Sequence, residues 1–502
     1  MNKSPLRSSF LSFNYFIKTR AIFPFLLPVF FVLHGFIANY SAVYVADALL
    51  LIFFYMVITV IIAGIGWLFY RDITKASLFA FLVMAYHFFF GFIQDALTDL
   101  APHSIVSQYR FILPVSCLCI VVVIAWLKKR KKTLFTITYY LNILLLLLIG
   151  IDTVGFVKKS SGAGKSYPFN ANNSFTICDS CKRPDVYFIL LDQYAGNTAL
   201  KEVFDFDNAA FETDLTRRGF HIAKNSSSNY NLTPFSMAST LDMNYLGPEM
   251  DRINHLNVTY SYNVIRNSQV INFISAYGYK FYNLSVFDFP GQPAYKYRSF
   301  FPYGTDLITS QTFISRLKKA VRADILSGKL RMKTIQKKIL YEQLYFNDGI
   351  FEQTRNVAAQ HANMPKFVYS HFILPHWPYY FDSKGRPVPI EKLQGFHETS
   401  AHDYIEYLQY GNGKILQLVD YIFSVSPTPP VIILLSDHGF RNPEKKASHK
   451  YDFFNLNAVY LPDKNYSQFP DNMTNVNFFR IFFNTSFNQH FSLLKDSTIN
   501  LW

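Results

Sequence analysis

Acidic residues are scarce in this chain. Among 502 residues, 34 Asp and Glu stand against 48 Lys and Arg, and charged residues of both signs make up only 16%. Half the residues are hydrophobic and the mean hydropathy is slightly positive, which points to a chain lying part in lipid and part in water. Cysteine is also rare. Four are too few for a disulfide scaffold. Cys117 and Cys119 sit inside an apolar run and read as core residues. Cys178 and Cys181 form a CxxC with no second ligand pair nearby, which excludes a zinc ribbon and leaves a short-loop disulfide outside the cytoplasm. No internal repeat is present. The stretch 160–166, Ser-Ser-Gly-Ala-Gly-Lys-Ser, ends like a phosphate-binding loop, but Lys159 stands where its first glycine belongs and no buried strand precedes it. It reads as a flexible linker, and no nucleotide partner is expected. Nucleic acid is excluded as well, because much of the basic clustering lies between apolar segments instead of beside aromatics on a soluble surface.

What is abundant is apolar sequence in the first third. Five stretches, Ala21–Asn39, Ala48–Tyr70, Ala76–Ile93, Phe111–Leu127 and Leu134–Ile151, are each about the ~20 residues needed to cross a bilayer. The first is not a cleaved signal alone, since four more follow it. The connecting charges alternate. Lys3, Arg7, Lys18 and Arg20 precede the first stretch, Arg71 and Lys75 follow the second, and Lys128–Lys132 separate the fourth and fifth. Asp47, Asp95 and Asp99 mark the other side, where Arg110 is the basic residue. The positive-inside rule makes the N-terminus cytoplasmic, and an odd number of spans puts everything after Ile151 outside. The expected division is a five-span membrane domain over 1–157, a linker over 158–183 and an extracytoplasmic domain over 184–502.

The second half has the pattern of an α/β fold. Asp185–Leu191, Lys366–Leu374, Val431–Ser436 and Asn455–Leu461 read as strands, and the buried ones are apolar without alternation. Between them lie helical patterns. Asp403–Phe423 has a possible break at Gly411–Gly413, and Ile314–Leu344 is strongly basic with a solvated or headgroup-facing side. Strands alternating with helices predict a largely parallel sheet covered on both faces.

Three of these strands end in candidate ligands. Val431–Ser436 switches abruptly to Asp437-His438-Gly439, the first strand ends at Asp192, and the second leads to Pro375-His376-Trp377-Pro378-Tyr379. Ligands bind at the carboxyl ends of strands in open α/β sheets. Two carboxylates and an imidazole suit a divalent cation. A hydroxyl nucleophile is available in Asn229–Ser239, where Thr233-Pro234 opens a helical pattern whose N-terminus favours an anion. Each residue also has a plainer reading. Asp192 can cap a helix, His371 can point into the core or stand behind the metal ligands, His376 can shape a turn, and Asn231-Leu232-Thr233 matches a glycosylation sequon.

In this order, the motifs resemble the alkaline phosphatase/sulfatase superfamily over roughly 184–462. Behind five spans they resemble its membrane-bound branch, which contains lipoteichoic acid synthases and phosphoethanolamine or phosphoglycerol transferases. The resemblance implies metal ligation by Asp192, Thr233, Asp437 and His438, with Thr233 as nucleophile and His376 touching the transferred group. His449 is a secondary candidate for substrate contact. One divalent ion, Zn or Mn, is implied. Asp192 stands alone where many sulfatases have paired acids and the transferases often have Glu, and the extended histidine-glycine motif of phosphoethanolamine transferases is absent. A formylglycine sulfatase needs Cys or Ser followed by x-Pro-x-Arg. Thr233 does not provide this, and the alternative register falls on Ser236 or Ser239.

The expected enzyme is therefore a sulfatase-like phosphotransferase of a bacterial inner membrane, with a periplasmic catalytic domain. It would move a phosphorus-containing head group from a membrane lipid to an envelope glycan or lipid through a covalent threonine. A sulfatase or phosphodiesterase-type hydrolase of the same fold is the first alternative, and a non-catalytic membrane scaffold the second.

Overall fold

The computed structural model describes residues 14–40, 43–102, 104–162, 175–295, 303–393, 400–441 and 449–501. The chain forms two compact units. The first comprises 1–168 with 300–323, and the second comprises 169–299 with 324–502. The excursion 300–323 is a departure from the sequence-based division, which left it inside the extracytoplasmic domain.

The helical unit contains α1 (Phe23–Ala38), α2 (Val45–Tyr70), α3 (Ile73–Leu100), α4 (Tyr109–Lys129) and α5 (Phe135–Gly162). Among the described residues, α2 to α5 are long and apolar enough to cross a membrane by length and composition. The first expected span is shorter than expected. α1 has 16 residues, roughly 24 Å against a hydrocarbon core of ~30 Å. Its ends are fixed by side chains. Asn142 of α5 accepts from the Phe23 N–H at 2.8 Å and donates to the Ile17 and Arg20 carbonyls. Asn39 closes the other end on the Gly35 carbonyl. The linker expectation for 160–166 falls partly on α5, which runs to Gly162, and positions 163–166 lie outside the described residues.

The second unit is built on a six-stranded sheet in the order β2-β6-β5-β1-β4-β3. These strands are β1 (Val186–Leu191), β2 (His221–Ile222), β3 (Lys280–Leu284), β4 (Lys366–Phe372), β5 (Val431–Ser436) and β6 (Asn457–Tyr460). β5, β1, β4 and β3 are parallel, whereas β6 runs antiparallel to both β5 and β2, so the sheet is mixed. The short edge strands β2 and β3 had no distinct apolar run in the sequence. β1, β4 and β5 are buried at every position.

Alternate residues of β1 enter two separate cores. Val186, Phe188 and Leu190 join one with α6 (Thr233–Asp242) and α10 (Asn475–Phe487). Tyr187, Ile189 and Leu191 join the other with α8 (Glu342–Ala359) and α9 (Ala401–Val425). The expected break in α9 does not occur. The helix is continuous because Gly411 is where Leu374 packs: a Cβ there would lie 3.2 Å from Leu374 Cγ. The basic stretch 314–344 divides into α7 (Phe313–Leu326), a helix Lys333–Leu340 and the start of α8. A disulfide joins Cys178 and Cys181.

Candidate metal centre

Register brings the carboxylates together. Leu191 is level with Ser436 and with Phe372 on the neighbouring parallel strands. Asp192 and Asp437 are the next residues on adjacent strands, so they leave the sheet side by side. Side chains alternate along a strand. Asp192, two residues after Leu190, and Asp437, two after Leu435, therefore point to the face that carries α6. His371, paired with Leu190, points the same way.

Asp437 and His438 are fully buried and Asp192 nearly so. One ligand atom each from Asp192, Asp437 and His438 lies within 4.8 Å of the others. His438 Nδ1 sits 2.7 Å from its own neighbour's carbonyl, Gly439 O, which fixes the proton on Nδ1. Nε2 is then a lone-pair donor, 3.4 Å from Asp437 Oδ2 and 3.5 Å from Thr233 Oγ1. Thr233 opens α6 with Pro234 behind it, so the hydroxyl stands at a helix N-terminus. It is half-buried, and thus reachable.

The cluster carries an electrostatic oddity that a cation resolves. Asp192 Oδ1 and Asp437 Oδ2 are buried with no hydrogen-bond partner among the described residues. Leaving charged oxygens unpaired inside a protein is costly. Two orphan carboxylate oxygens facing an imidazole lone pair fit a divalent metal ion. Burial pushes the Asp192 carboxyl up, but His376 and His371 outweigh it and hold the group below the ordinary carboxylate range.

The backbone around the cluster is held tightly. The Gln193 N–H, in a left-handed turn, donates to Asp437 Oδ1 at 2.9 Å. Tyr404 donates its hydroxyl to Gln193 O and accepts from the Ala195 N–H. Ser436 Oγ accepts from the Tyr194 N–H and donates to His438 O, while Asn455 and Asn475 both donate to Ser436 O. Gly439 admits no side chain, since a Cβ would stand 2.5 Å from Phe454 O and 2.7 Å from Tyr451 O. Ser236 Oγ donates to Asp437 O, so this hydroxyl supports the loop that carries Asp437 and His438. Gly439 and Ser236 stand in motifs read from the sequence, but the supports from Gln193, Tyr404, Asn455 and Asn475 carry no local signal, because each is distant along the chain from its partner and of an ordinary polar type.

The remaining candidates fall around this core. His376 is half-buried, its Nδ1 2.6 Å from Trp377 O, and it acts electrostatically on Asp192. His371 is fully buried, with Nε2 3.6 Å from Asp192 Oδ2, behind that carboxylate as one of its two sequence-based readings has it. His449 is on an exposed turn beside Asp452, outside the buried cluster. Ser239 is buried with its hydroxyl unpartnered.

No family model and no curated protein matches the chain. Solved structures do. The zinc complex of the C-terminal periplasmic domain of EcEptC from Escherichia coli is 12% identical with a TM-score of 0.37, over 62% of this chain and 85% of that one. A 4S-sulf protein from the glycosaminoglycan-metabolism locus of Bacteroides thetaiotaomicron is 14% identical with a TM-score of 0.36, over 59% and 71%. The integral membrane protein lipooligosaccharide phosphoethanolamine transferase A (EptA) from Neisseria meningitidis is 12% identical with a TM-score of 0.34, and the match covers 91% of this chain and 94% of that one.

Proposed function

We propose that the chain is a metal-dependent transferase that moves a phosphorus-containing head group, of phosphoethanolamine or phosphoglycerol type, from a membrane lipid to an envelope glycan or lipid. The observation that carries this reading is the Thr233 hydroxyl, at a helix N-terminus, 3.5 Å from His438 Nε2 beside two buried carboxylates.

Asp192, Asp437, His438 and Thr233 would hold one divalent ion, Zn or Mn. When bound, the ion lowers the hydroxyl pKa of Thr233 and neutralises oxyanion charge. Thr233 Oγ1 gives its proton to solvent water and attacks the lipid phosphorus in line, as the P–O bond to the lipid glycerol breaks. The product is a threonine phosphodiester and a diacylglycerol. His376, close enough to Asp192 to feel its charge, gives a proton to the departing glycerol oxygen. An acceptor hydroxyl then gives its proton to His376 and attacks the same phosphorus, and the bond to Thr233 breaks. The α6 N-terminus stabilises the phosphate oxygens throughout.

Hydrolysis by water at the second step is the competing reading, as in a phosphodiesterase or sulfatase. The apolar helices favour transfer, because they would keep the site beside its lipid donor and raise the effective concentration.

The test uses purified full-length protein and a phospholipid radiolabelled in its head group. Label on the peptide containing Thr233, absent from Thr233→Ala, is the expected result, and the adduct mass names the head group. Equal label transfer by Thr233→Ala would overturn the nucleophile assignment. Label released only as the free head group, with acceptor present, would favour the hydrolase.

A further inference from the structure

We propose that 303–323 is a lipid-facing collar on the helical unit, and that α7 lies in the headgroup layer of the membrane and binds anionic phospholipid there. The segment falls between β3 and β4 in sequence, yet it belongs to the helical unit.

Its anchoring is specific. Two glycines of the apolar helices make room for it. A Cβ on Gly35 of α1 would lie 2.8 Å from Ile308 Cγ2, and one on Gly91 of α3 would lie 2.6 Å from Gln311 O. The Gly91 N–H donates to that same carbonyl at 2.8 Å. Arg316 pairs with Asp95 Oδ2 of α3 at 2.7 Å. The Phe313 ring packs on Phe90 and Tyr86 at centroid distances of 5.0 and 5.5 Å. Gly35 is in the last turn of α1, and the α3 partners lie from its middle to near its C-terminus, so one end of the bundle carries the segment. α3 has 28 residues, roughly 42 Å, which exceeds a ~30 Å hydrocarbon core and carries the Asp95 end into the headgroup layer.

The outer surface of α7 suits that layer. Ile314, Leu317 and Val321 fall on one stripe at helical spacing. Ile314 is 62% and Val321 39% exposed. Lys318 and Arg322 lie along one side of the stripe and Lys319 beyond them, all three exposed. An exposed apolar stripe with cations along one side matches an anionic lipid surface, where apolar side chains enter the acyl boundary and long cationic ones reach phosphate. Each cation near such a surface adds affinity, so three give on the order of 100-fold.

The experiment uses the full chain in nanodiscs with Ile314→Trp, and Val321→Trp as a second reporter. Bromine-bearing phosphatidylcholine or phosphatidylglycerol serves as quencher at equal mole fraction, and the quenching of wild type, with its four tryptophans, is subtracted. Both added indoles should be quenched, and the glycerol lipid should quench more strongly than the choline lipid. Lys318→Gln/Lys319→Gln/Arg322→Gln should abolish that preference while leaving quenching by the choline lipid. High salt should act in the same direction. No added quenching by either lipid would overturn the collar. Equal quenching by both, or a preference that survives the triple substitution, would overturn anionic lipid binding.

Discussion

Thr233 Oγ1 and His438 Nε2 face each other at 3.5 Å although the two residues are 205 positions apart. The contact exists because the first turn of α6 is packed against the C-terminal ends of β1 and β5. Its geometry allows a hydroxyl and an imidazole lone pair to share one cation, and several outcomes follow from that arrangement.

Removal of the Thr233 hydroxyl should lower transfer by at least about a thousandfold, as losing a nucleophile does. Thr233→Ser, which keeps an oxygen at the position, should retain a measurable part. Initial rates of both variants with a labelled lipid donor provide the check.

The unpaired oxygens of Asp192 and Asp437 make the cluster self-repelling without a cation. Asp437→Asn should therefore lose bound metal by elemental analysis and melt lower than the metal-loaded wild type. After chelation the order should reverse, with the variant more stable by about 1–2 kcal/mol. Melting curves of both proteins with and without chelator decide this. An unchanged metal content in Asp437→Asn would remove this residue from the ligand set.

Gly439 and Gly413 should respond oppositely to alanine. A Cβ at Gly439 meets carbonyl oxygens of Phe454 and Tyr451 within 2.7 Å, so Gly439→Ala should cost several kcal/mol and disturb the metal loop. Gly413 lies exposed inside α9 with nothing within 4 Å of the added carbon. Gly413→Ala should stabilise by about 0.5–1 kcal/mol. Thermal melting of the pair tests both signs together.

Asp242, at the C-terminus of α6, gives a pH dependence. Burial pushes its carboxyl up to about 7, against weaker opposing effects from the Gln269 N–H and Arg480. Below the ordinary carboxylate range both folded and unfolded chains hold the proton. Between that range and pH ~7 only the folded chain does, so stability falls as pH rises through this window. The rise from 3.8 to about 7 corresponds to up to roughly 4 kcal/mol. Asp242→Asn should match wild type near pH 4 and exceed it near pH 8. Denaturation of both proteins across this range shows whether the gap opens.

Sequence alone determined the elements with uniform chemistry. The runs of β1 and β5 are apolar at nearly every position because both of their faces are buried, and that composition is legible without knowing the neighbours; β4 is interrupted by Ser370 and His371. The long helices α2 to α5 are legible for the same reason. So is the abrupt change from Leu435 to Asp437-His438-Gly439, since a strand end that turns to ligand chemistry is a local event.

Tertiary structure decided everything that depends on register and packing between distant residues. It set Asp192 level with Asp437 through the pairing of Leu191 with Ser436, and it brought Thr233 to His438. It shortened α1 through Asn142, kept α9 whole by seating Leu374 on Gly411, and assigned 303–323 to the helical unit through Gly35 and Gly91. These outcomes rest on contacts between side chains and backbone far apart in the chain, and the periodicity of a single segment carries no record of its partner.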